Sequence, residues 1–420
     1  MKKVGVAILG HGTIGGGVSR ILISDKDSIA KKNNVDLELR AICDTDPEKD
    51  TEFFGEFPKI FKKFSEIIND PKIEIIVETI GGNGIAREFV EKALQKGKNI
   101  VTANKEMISK NFLNLQNLTE KNNRKILFEA AVGGGIPILS SILSGICGDQ
   151  IWQIDGILNG TTNFIISEME KSGEDFSKIL KIAQDKGYAE GNPANDIDGI
   201  DAAHKLSILI ALAFGKYFPP EEIKTTGISK LQKYDFWYAE KLDKKIKLIA
   251  TTKKINGKIM AKVSPTLISK KYRISKIDGV LNALNLNGIY NPIGNFLSGE
   301  GAGRFPTAAA IVSDVINIAT DRAPKIPKLE KAEILSNEEI EFFIRFLVFD
   351  RPGILGKIGS IFEKFKISIN SVEQLPINEN PLPFAVTTKK TNSENFNAAI
   401  EEIKKLDFNA QSPMFCEMRE

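Results

Sequence analysis

The feature that most constrains the fold of this chain is a glycine cluster near its N-terminus. The run ILGHGTIGGGV places Gly10, Gly12 and Gly15 in the spacing G-x-G-x-x-G, directly after an apolar run and at the start of a helical pattern. The first glycine of such a motif allows a tight turn, the second lets the backbone approach a pyrophosphate, and the third permits close packing of helix on strand. The cluster predicts a dinucleotide-binding fold, with a purely structural turn as the alternative.

The pattern of apolar runs predicts a mainly α/β chain. Residues 1–135 alternate short apolar runs with helical patterns, which is typical of βαβ units in a Rossmann-type doubly wound parallel sheet. The predicted strands are KVGVAIL, LELRAIC, IEIIVET, KNIVTA and KILFEA. We expect an α+β catalytic and dimerisation domain over 136–300, a return to the first domain over about 300–322, and a Pro-rich linker over 323–340. The order β-α-β-β-α-β over 341–420 predicts a ferredoxin-like domain.

Charge and composition exclude several classes of protein. The 57 Lys and Arg residues nearly balance the 54 Asp and Glu residues, so the chain lacks the basic field that nucleic-acid binding needs. No run approaches the ~20 apolar residues that span a bilayer. The three cysteines are far apart and not in metal-ligand spacing, which indicates a reducing compartment. We therefore expect a cytoplasmic protein with no nucleic-acid or membrane partner.

Several polar residues follow the predicted strands at the carboxyl edge of the sheet, where ligands bind in such folds. Asp44 follows the second strand, where a carboxylate accepts hydrogen bonds from the ribose 2′-OH of NAD and repels the 2′-phosphate of NADP; an ordinary turn residue is the alternative. Thr79 and Gly81 follow the third strand, and Thr102 and Lys105 the fourth. A cation at a helix start opposes the helix dipole, so Lys105 suggests a functional role.

The stretch GNPANDIDGIDAAHKL, followed by an apolar run, concentrates charges at one helix start. Asp201 and Lys205 are four residues apart and share a helix face. A lysine oriented by a carboxylate is a candidate general acid for a carbonyl oxygen that receives hydride. Glu190 and Asp196 are candidates for binding a cationic amine. The alternative is a capped helix with an ordinary ion pair.

These segments together resemble the homoserine dehydrogenases. The stretch AQDKGYAEGNPANDIDGIDAAHK matches the family's catalytic signature, and TANKEMIS, FEAAVGGGIPI, GILNGTTNFI and GEGAG resemble further family segments in the same order. The resemblance covers essentially the whole chain. It implies an oxidoreductase that interconverts L-aspartate 4-semialdehyde and L-homoserine, on the route to threonine, methionine and isoleucine.

The resemblance implies a role for each candidate residue. Lys205 would donate the proton, Lys105 would position or polarise the carbonyl oxygen, and Glu190, Asp196 and Asp201 would hold the amino end of the substrate and orient Lys205. Besides the residues already named, Thr13, Ile14 and Gly301 would contact the dinucleotide. Family members also bind a monovalent cation, usually sodium, and here mainly backbone carbonyls of EAAVGGGI would hold it: Glu129, Val132, Gly134 and Ile136. An ordinary glycine turn is the alternative.

One departure from the family bears on the cofactor. Many members carry an arginine just before the acidic residue that follows the second strand, whereas this chain has Cys43 before Asp44. The departure favours NAD over NADP, with dual use left open.

Residues FLVFDRPGILGKIGSIFEKFKISINSVEQ resemble an ACT domain, a small regulatory module that binds amino acids. In this family the implied effector is threonine, and the expected assembly is a homodimer or homotetramer. A dimerisation module without a ligand is the alternative. For the whole chain, another amino-acid dehydrogenase on the same scaffold and a non-catalytic amino-acid sensor stay open. The candidate effector residues are Asp350, Gly353, Ile354, Asn370 and Gln374.

Overall fold

The structure is a computed structural model that describes residues 1–45, 62–335, 337–375 and 379–419. The turn predicted at DTDPEK continues beyond the described residues after Thr45, and Ser336 of the predicted linker also lies outside them. The chain divides into two compact units. The first comprises Met1–Ile154, Asp201–Ile223 and Leu281–Ala332, and the second comprises Asp155–Ile200, Lys224–Val280 and Glu333–Glu420.

The helices and strands alternate through the first part of the chain. They are β1 (Lys2–Leu9), α1 (Thr13–Ser24), α2 (Lys26–Asn33), β2 (Val35–Cys43), α3 (Phe64–Asn69), β3 (Ile73–Glu78), α4 (Ile85–Gln95), β4 (Asn99–Thr102), α5 (Lys105–Asn122), β5 (Ile126–Leu127), α6 (Ile138–Ser140), β6 (Ile151–Ile157), α7 (Gly160–Ser172), α8 (Phe176–Asp185), α9 (Ala194–Ile197) and α10 (Ile200–Phe214).

The remaining elements are mostly strands until the C-terminal helices. They are β7 (Lys216–Tyr217), β8 (Lys224–Thr225), α11 (Lys233–Lys241), β9 (Lys244–Ile255), β10 (Lys258–Ser269), β11 (Leu281–Gly288), β12 (Asn295–Glu300), α12 (Arg304–Ala319), β13 (Glu330–Lys331), β14 (Glu339–Val348), α13 (Ile354–Lys364), β15 (Ile369–Gln374), β16 (Leu382–Thr388), β17 (Thr391–Asn392), α14 (Ser393–Ile403) and β18 (Met414–Arg419).

The first unit contains the Rossmann-type sheet. Its five strands have the order β2-β1-β3-β4-β5 and all pair in parallel. Strand β1 is buried along its last six residues because helices cover both faces of a parallel sheet. The predicted parallel sheet is confirmed. The predicted strand KILFEA is shorter than expected, because the chain leaves the sheet after Leu127 and forms a 3₁₀ helix over Glu129–Ala131.

Helix α12 brings a late part of the chain into this unit. It packs on α1, and a Cβ added to Gly17 would lie 3.1 Å from the Ala308 Cβ, so glycine allows the two helices to approach closely. Apolar side chains of α12, including Ile311 and Val315, share one core with Val6 and the rest of β1. The dinucleotide-type sheet is therefore completed by residues almost 300 positions away in the chain.

The second unit contains the C-terminal ferredoxin-like domain, whose βαββαβ order is confirmed as β14, α13, β15, β16, α14 and β18. Its core is aromatic, with the Phe342 and Phe396 rings stacked. Strand β18 also pairs in parallel with β10, so the strand order β9-β10-β18-β14-β16-β15 is continuous within this unit. Among the described residues, no helix is long and apolar enough to cross a membrane.

Candidate functional site

The glycine turn between β1 and α1 has the geometry of a ligand-binding loop. Gly10 has a φ of 88°, and a Cβ on Gly15 would lie 2.0 Å from the Gly10 carbonyl oxygen, so both positions need glycine. A Cβ on Gly12, in contrast, would have no atom within 4 Å. The Thr79 hydroxyl donates to the Gly10 carbonyl at 2.7 Å and links the turn to the end of β3.

Helix α1 begins at Thr13, and no side chain caps its first turn. Its N-terminal amides therefore suit a pyrophosphate, which is the group that this loop holds in dinucleotide-binding folds. Ile14 packs on the core of the sheet. The residues present thus fit a dinucleotide.

Asp44 lies beside the glycine turn. Its carboxylate accepts a hydrogen bond from the backbone amide of His11. The His11 ring is fully buried, and its Nε2 lies 2.9 Å from the Ser19 hydroxyl oxygen. Asp44 therefore stands at the carboxyl end of β2, next to the loop that would carry the pyrophosphate.

Glu78 is a site residue that the sequence analysis missed. This fully buried carboxylate ends β3, and its Oε1 accepts from the amides of Ile80 and Gly81 at 2.8 and 2.9 Å. Its Oε2 accepts from the Thr102 hydroxyl at 2.5 Å, and that hydroxyl accepts from the Asn104 amide at 2.9 Å. Glu78 therefore joins the loops that follow β3 and β4. A glutamate that closes an otherwise apolar strand was the available signal.

Two lysines share one aspartate in the first unit. Asp201 and Lys205 lie one turn apart on α10, with Lys205 Nζ 2.8 Å from Asp201 Oδ2. Lys105, at the start of α5, places its Nζ 3.0 Å from Asp201 Oδ1. The Asp201 and Lys205 side chains are 7% and 11% exposed, whereas that of Lys105 is 44% exposed. The cluster offers two oriented ammonium groups beside the edge of the sheet, which suits stabilisation of a developing oxyanion.

His204 faces away from this cluster. Its Nδ1 lies 2.7 Å from the Ser109 hydroxyl oxygen, so the contact ties α10 to α5 next to Lys105. Burial lowers the pKa of His204, and the nearby Lys110 lowers it further. Ser109 carries no signal in the local sequence pattern, because it lies 95 positions from His204.

Two of the acidic substrate candidates, Asp196 and Glu190, lie in the second unit. Asp196 belongs to the one-turn helix α9, which Gly199, with a φ of 82°, separates from α10. Its Oδ1 accepts from Asn159 Nδ2 at 2.7 Å. Glu190 is exposed.

The EAAVGGGI loop is a compact glycine turn in the first unit. Gly133 and Gly134 have φ values of 76° and 53°, and a Cβ on Gly134 would lie 2.6 Å from the Gly301 carbonyl oxygen. Among the described residues, no group of three or more His, Cys, Asp and Glu side chains could hold a metal. A cation in this loop would therefore depend on carbonyl oxygens, which are ligands that hard cations accept. The residues predicted from the sequence to supply these carbonyls, Glu129, Val132, Gly134 and Ile136, all lie in or beside this turn.

The Glu129 carboxylate is used elsewhere. It accepts from the amides of Leu139 and Ser140 at 2.8 and 2.7 Å. The Glu129 amide in turn donates to Asp314 Oδ2 at 2.8 Å. Burial raises the pKa of Glu129 and raises the pKa of Asp314 to about 8. Asp314 was not found from the sequence.

The effector candidates form two groups in the C-terminal domain. Asp350 is exposed, Gly353 has a φ of 92°, and Ile354 begins α13 with no side-chain cap on the helix. Asn370 and Gln374 lie on β15, the last strand of the sheet, and both are exposed. The first amides of α13 therefore have no side-chain cap at this strand-to-helix turn.

The first unit combines a parallel sheet, a glycine turn suited to a pyrophosphate and a lysine–carboxylate cluster. These features together define the class of dinucleotide-dependent oxidoreductases. The family models agree. One described as homoserine dehydrogenase, NAD binding domain, matches residues 10–129, one described as homoserine dehydrogenase matches 137–316, and one described as ACT domain matches 342–408. The homoserine dehydrogenase of Neisseria gonorrhoeae is 37% identical over 422 residues, which cover 97% of this chain and 96% of that protein. This chain belongs to the homoserine dehydrogenase family.

Solved structures extend the similarity to the fold. A homoserine dehydrogenase from Thiobacillus denitrificans matches with a TM-score of 0.92 at 35% identity, over 100% of this chain and 99% of that one. A hyperthermophilic archaeal homoserine dehydrogenase in complex with NADPH matches with a TM-score of 0.64 at 29% identity, over 77% of this chain and 99% of that one.

Proposed function

We propose that this protein catalyses the NAD(P)-dependent interconversion of L-aspartate 4-semialdehyde and L-homoserine. The observation that carries the proposal is the cluster in which Asp201 holds Lys205 at 2.8 Å and Lys105 at 3.0 Å. Lys105 directly follows β4, at the edge of the sheet where ligands bind in such folds.

In the reducing direction, Lys205 gives a proton to the carbonyl oxygen of the semialdehyde. The bound dinucleotide supplies the hydride. Asp201 orients the Lys205 ammonium, and Lys105 positions the same oxygen and stabilises its developing negative charge. In the reverse direction, the neutral Lys205 amine takes the proton of the homoserine hydroxyl. Glu190 and Asp196 bind the substrate's ammonium group.

The cofactor preference that we propose is NAD over NADP. The Asp44 carboxylate stands beside the glycine turn, where it would accept from the ribose hydroxyls and repel a 2′-phosphate. Cys43 supplies no positive charge to bind that phosphate. The similar archaeal homoserine dehydrogenase is in complex with NADPH, so we expect a preference for NAD and not an absolute requirement.

We further propose that the ACT domain binds a regulatory amino acid and that the EAAVGGGI loop binds a cation. Threonine binds to the ACT domain at Asp350, Gly353, Ile354, Asn370 and Gln374, and a sodium ion binds to the carbonyls of the EAAVGGGI loop. Residues 1–135 with about 300–322 act as the dinucleotide domain, 136–300 as the catalytic and dimerisation domain, and 341–420 as the regulatory domain, joined by 323–340. The enzyme works in the cytoplasm as a homodimer or homotetramer.

One set of assays tests these proposals. Purified protein is mixed with L-homoserine and either NAD or NADP, with and without threonine, in sodium-free buffer and with added sodium, and the reduced cofactor is followed by absorbance. We expect turnover with both cofactors, a higher kcat/KM with NAD, stimulation by sodium and inhibition by threonine. Absence of turnover under all conditions would refute the proposed reaction.

Two alternatives are separated by the same measurements. Turnover of other hydroxy amino acids, but not of homoserine, would indicate a different amino-acid dehydrogenase. Binding of threonine without any cofactor turnover would indicate a sensor. Lys205→Ala and the control Lys121→Ala, an exposed lysine near the end of α5, complete the set. Only Lys205→Ala should lower turnover strongly.

A further inference from the structure

Asn159 has two separate roles in the second unit. It lies just after β6, is 6% exposed, and its Oδ1 accepts from the Thr162 amide at 2.9 Å, so it caps α7. Its Nδ2 donates to Asp196 Oδ1 at 2.7 Å. A cap needs only an acceptor, which serine or aspartate supplies as well as asparagine. The donated bond to Asp196 needs the amide.

The strand that leads to Asn159 is held by the C-terminal strand. Asp155 of β6 is 2% exposed, and its Oδ1 accepts from Arg419 Nη1 and from the Thr251 hydroxyl, both at 2.7 Å. Its Oδ2 accepts from the Tyr272 hydroxyl at 3.2 Å. A buried carboxylate is stable only when it is paired and hydrogen-bonded in this way. Arg419 ends β18, the last strand of the ACT domain.

The helix that carries Asp196 is attached to β10, the strand with which β18 pairs. The Ile228 amide donates to the Ile197 carbonyl at the end of α9, at 2.9 Å. Strand β8, just before Ile228, pairs with Lys262 and Val263 of β10, and β18 pairs with Thr266–Ile268 of the same strand. The ACT strand and the support of α9 therefore pair with nearby residues of one strand, β10.

We propose that Asn159 is a positioning residue that orients Asp196 toward the ammonium group of the amino-acid substrate, and that Arg419, through Asp155, holds the strand that places Asn159. This inference rests on the proposed function, in which Asp196 binds that ammonium. The amide of Asn159 fixes one carboxylate oxygen of Asp196 and so sets the direction of the other. The last strand of the ACT domain thereby supports the position of Asp196.

The central test separates the cap from the donor. Asn159→Ser keeps an acceptor for the Thr162 amide but removes the donor to Asp196, and Asn159→Asp keeps the cap while placing a negative charge against Asp196. We expect the KM for homoserine to rise roughly tenfold or more in Asn159→Ser, the scale for a lost hydrogen bond to a charged group, and further in Asn159→Asp. The kcat and the dissociation constant of the dinucleotide should stay within about twofold of wild type, because a uniform loss of ground-state binding changes KM alone.

A matched control tests for loss of a cap in general. Asn392 caps α14 in the same unit, by accepting from the amides of Glu394 and Asn395. Asn392→Ser should leave the KM for homoserine unchanged. An equal rise of KM in both serine variants would overturn the positioning role, as would a wild-type KM in Asn159→Ser.

Arg419 gives an independent arm if the Asn159 variants do not fold. Arg419→Gln should raise the KM for homoserine by roughly 2- to 30-fold, the range of measured couplings between connected sites, and Arg419→Lys should restore much of the affinity because it keeps a cation for Asp155. The Arg419→Gln and Asp155→Asn changes should not add when combined. Wild-type KM in Arg419→Gln, or additive effects in the double variant, would remove Arg419 from the proposal. If the wild-type protein neither turns over nor binds homoserine, the proposed function itself fails. If the wild-type protein turns over homoserine and Asn159→Ser has the same KM, only the positioning role is refuted.

Discussion

Two buried aspartates, one in each unit, show how similar ion pairs differ in purpose. Asp201 lies on α10 beside Lys205, and its second oxygen faces Lys105, whose side chain is 44% exposed. Asp235 lies on α11 against Arg345, and these side chains are 0% and 2% exposed. The first carboxylate holds one cation that a ligand can reach, whereas the second is enclosed with its partner. An ion pair open on one side can act on a ligand, and an enclosed one can only join structural elements.

The enclosed pair joins the ACT domain to the rest of the second unit. Arg345 of β14 donates from Nε to Asp235 Oδ1 at 2.7 Å and from Nη2 to the Lys230 carbonyl at 3.0 Å. The Gln232 amide donates to Asp235 Oδ2 at 2.7 Å. Burial raises the pKa of Asp235 to about 6, although Arg345 opposes this shift.

We expect the largest effect on activity from a change in the Asp201–Lys205 pair. Lys205→Ala removes the proton donor and should lower kcat by about 10²- to 10⁴-fold, the usual contribution of a general acid, while dinucleotide binding survives. Steady-state kinetics and titration of NADH fluorescence check the two parts. Near-normal turnover would exclude Lys205 as the proton donor. The Asp201 cluster would then have no demonstrated function that the Asp235–Arg345 pair lacks.

The enclosed pair should show its effect on stability instead. Asp235→Ala leaves Arg345 buried without its carboxylate and should reduce the free energy of unfolding by about 3–5 kcal/mol, as measured by urea denaturation. The kcat per folded molecule should change little. The exposed Asp185, at the end of α8, supplies a control, because Asp185→Ala should have almost no effect. A loss of activity without a loss of stability would show that Asp235 resembles Asp201 in purpose.

Glu78→Gln should have a smaller effect, which falls on both stability and dinucleotide binding. The substitution removes the acceptor for the Thr102 hydroxyl and should cost about 1–3 kcal/mol, divided between folding and dinucleotide binding. We expect the dissociation constant for NADH to rise by up to roughly tenfold, and Glu88→Gln on the exposed face of α4 to leave it unchanged. An unaltered dissociation constant, with only the stability lowered, would make Glu78 purely structural.

The smallest expected effect is the pH dependence due to His204. Burial lowers its folded-state pKa, so the unfolded chain binds more protons at acid pH. Its contribution to stability is therefore complete above about pH 6.5, the ordinary value for histidine, and is lost as the pH falls through the folded-state pKa. His204→Gln should make the fall in the free energy of unfolding below about pH 6.5 shallower, as measured by urea denaturation at a series of pH values. If the free energy of unfolding falls equally with pH in the wild type and in His204→Gln, His204 is not the cause of the pH dependence.

The parts of the fold and site that the sequence predicts are local in the chain. The spacing of Gly10, Gly12 and Gly15 specifies the turn, since each requirement acts between residues a few positions apart or on the adjacent strand. The separation of Asp201 and Lys205 by four residues likewise specifies that they meet on one helix. The separate helix α9, which carries Asp196 and which Gly199 in the left-handed region divides from α10, was not predicted.

Contacts that join distant segments appear only in the tertiary structure. Three such contacts connect residues that are between 37 and about 150 positions apart. They are the ion pair of Lys105 with Asp201, the hydrogen bond of Asn159 to Asp196 and the pairing of β18 with β10. Local periodicity determines which face of a helix or strand is apolar, and so it determined the class of fold and the short motifs. Which buried charge meets which partner depends on how the faces pack, because a buried carboxylate must find its cation or donors wherever the folded chain brings them.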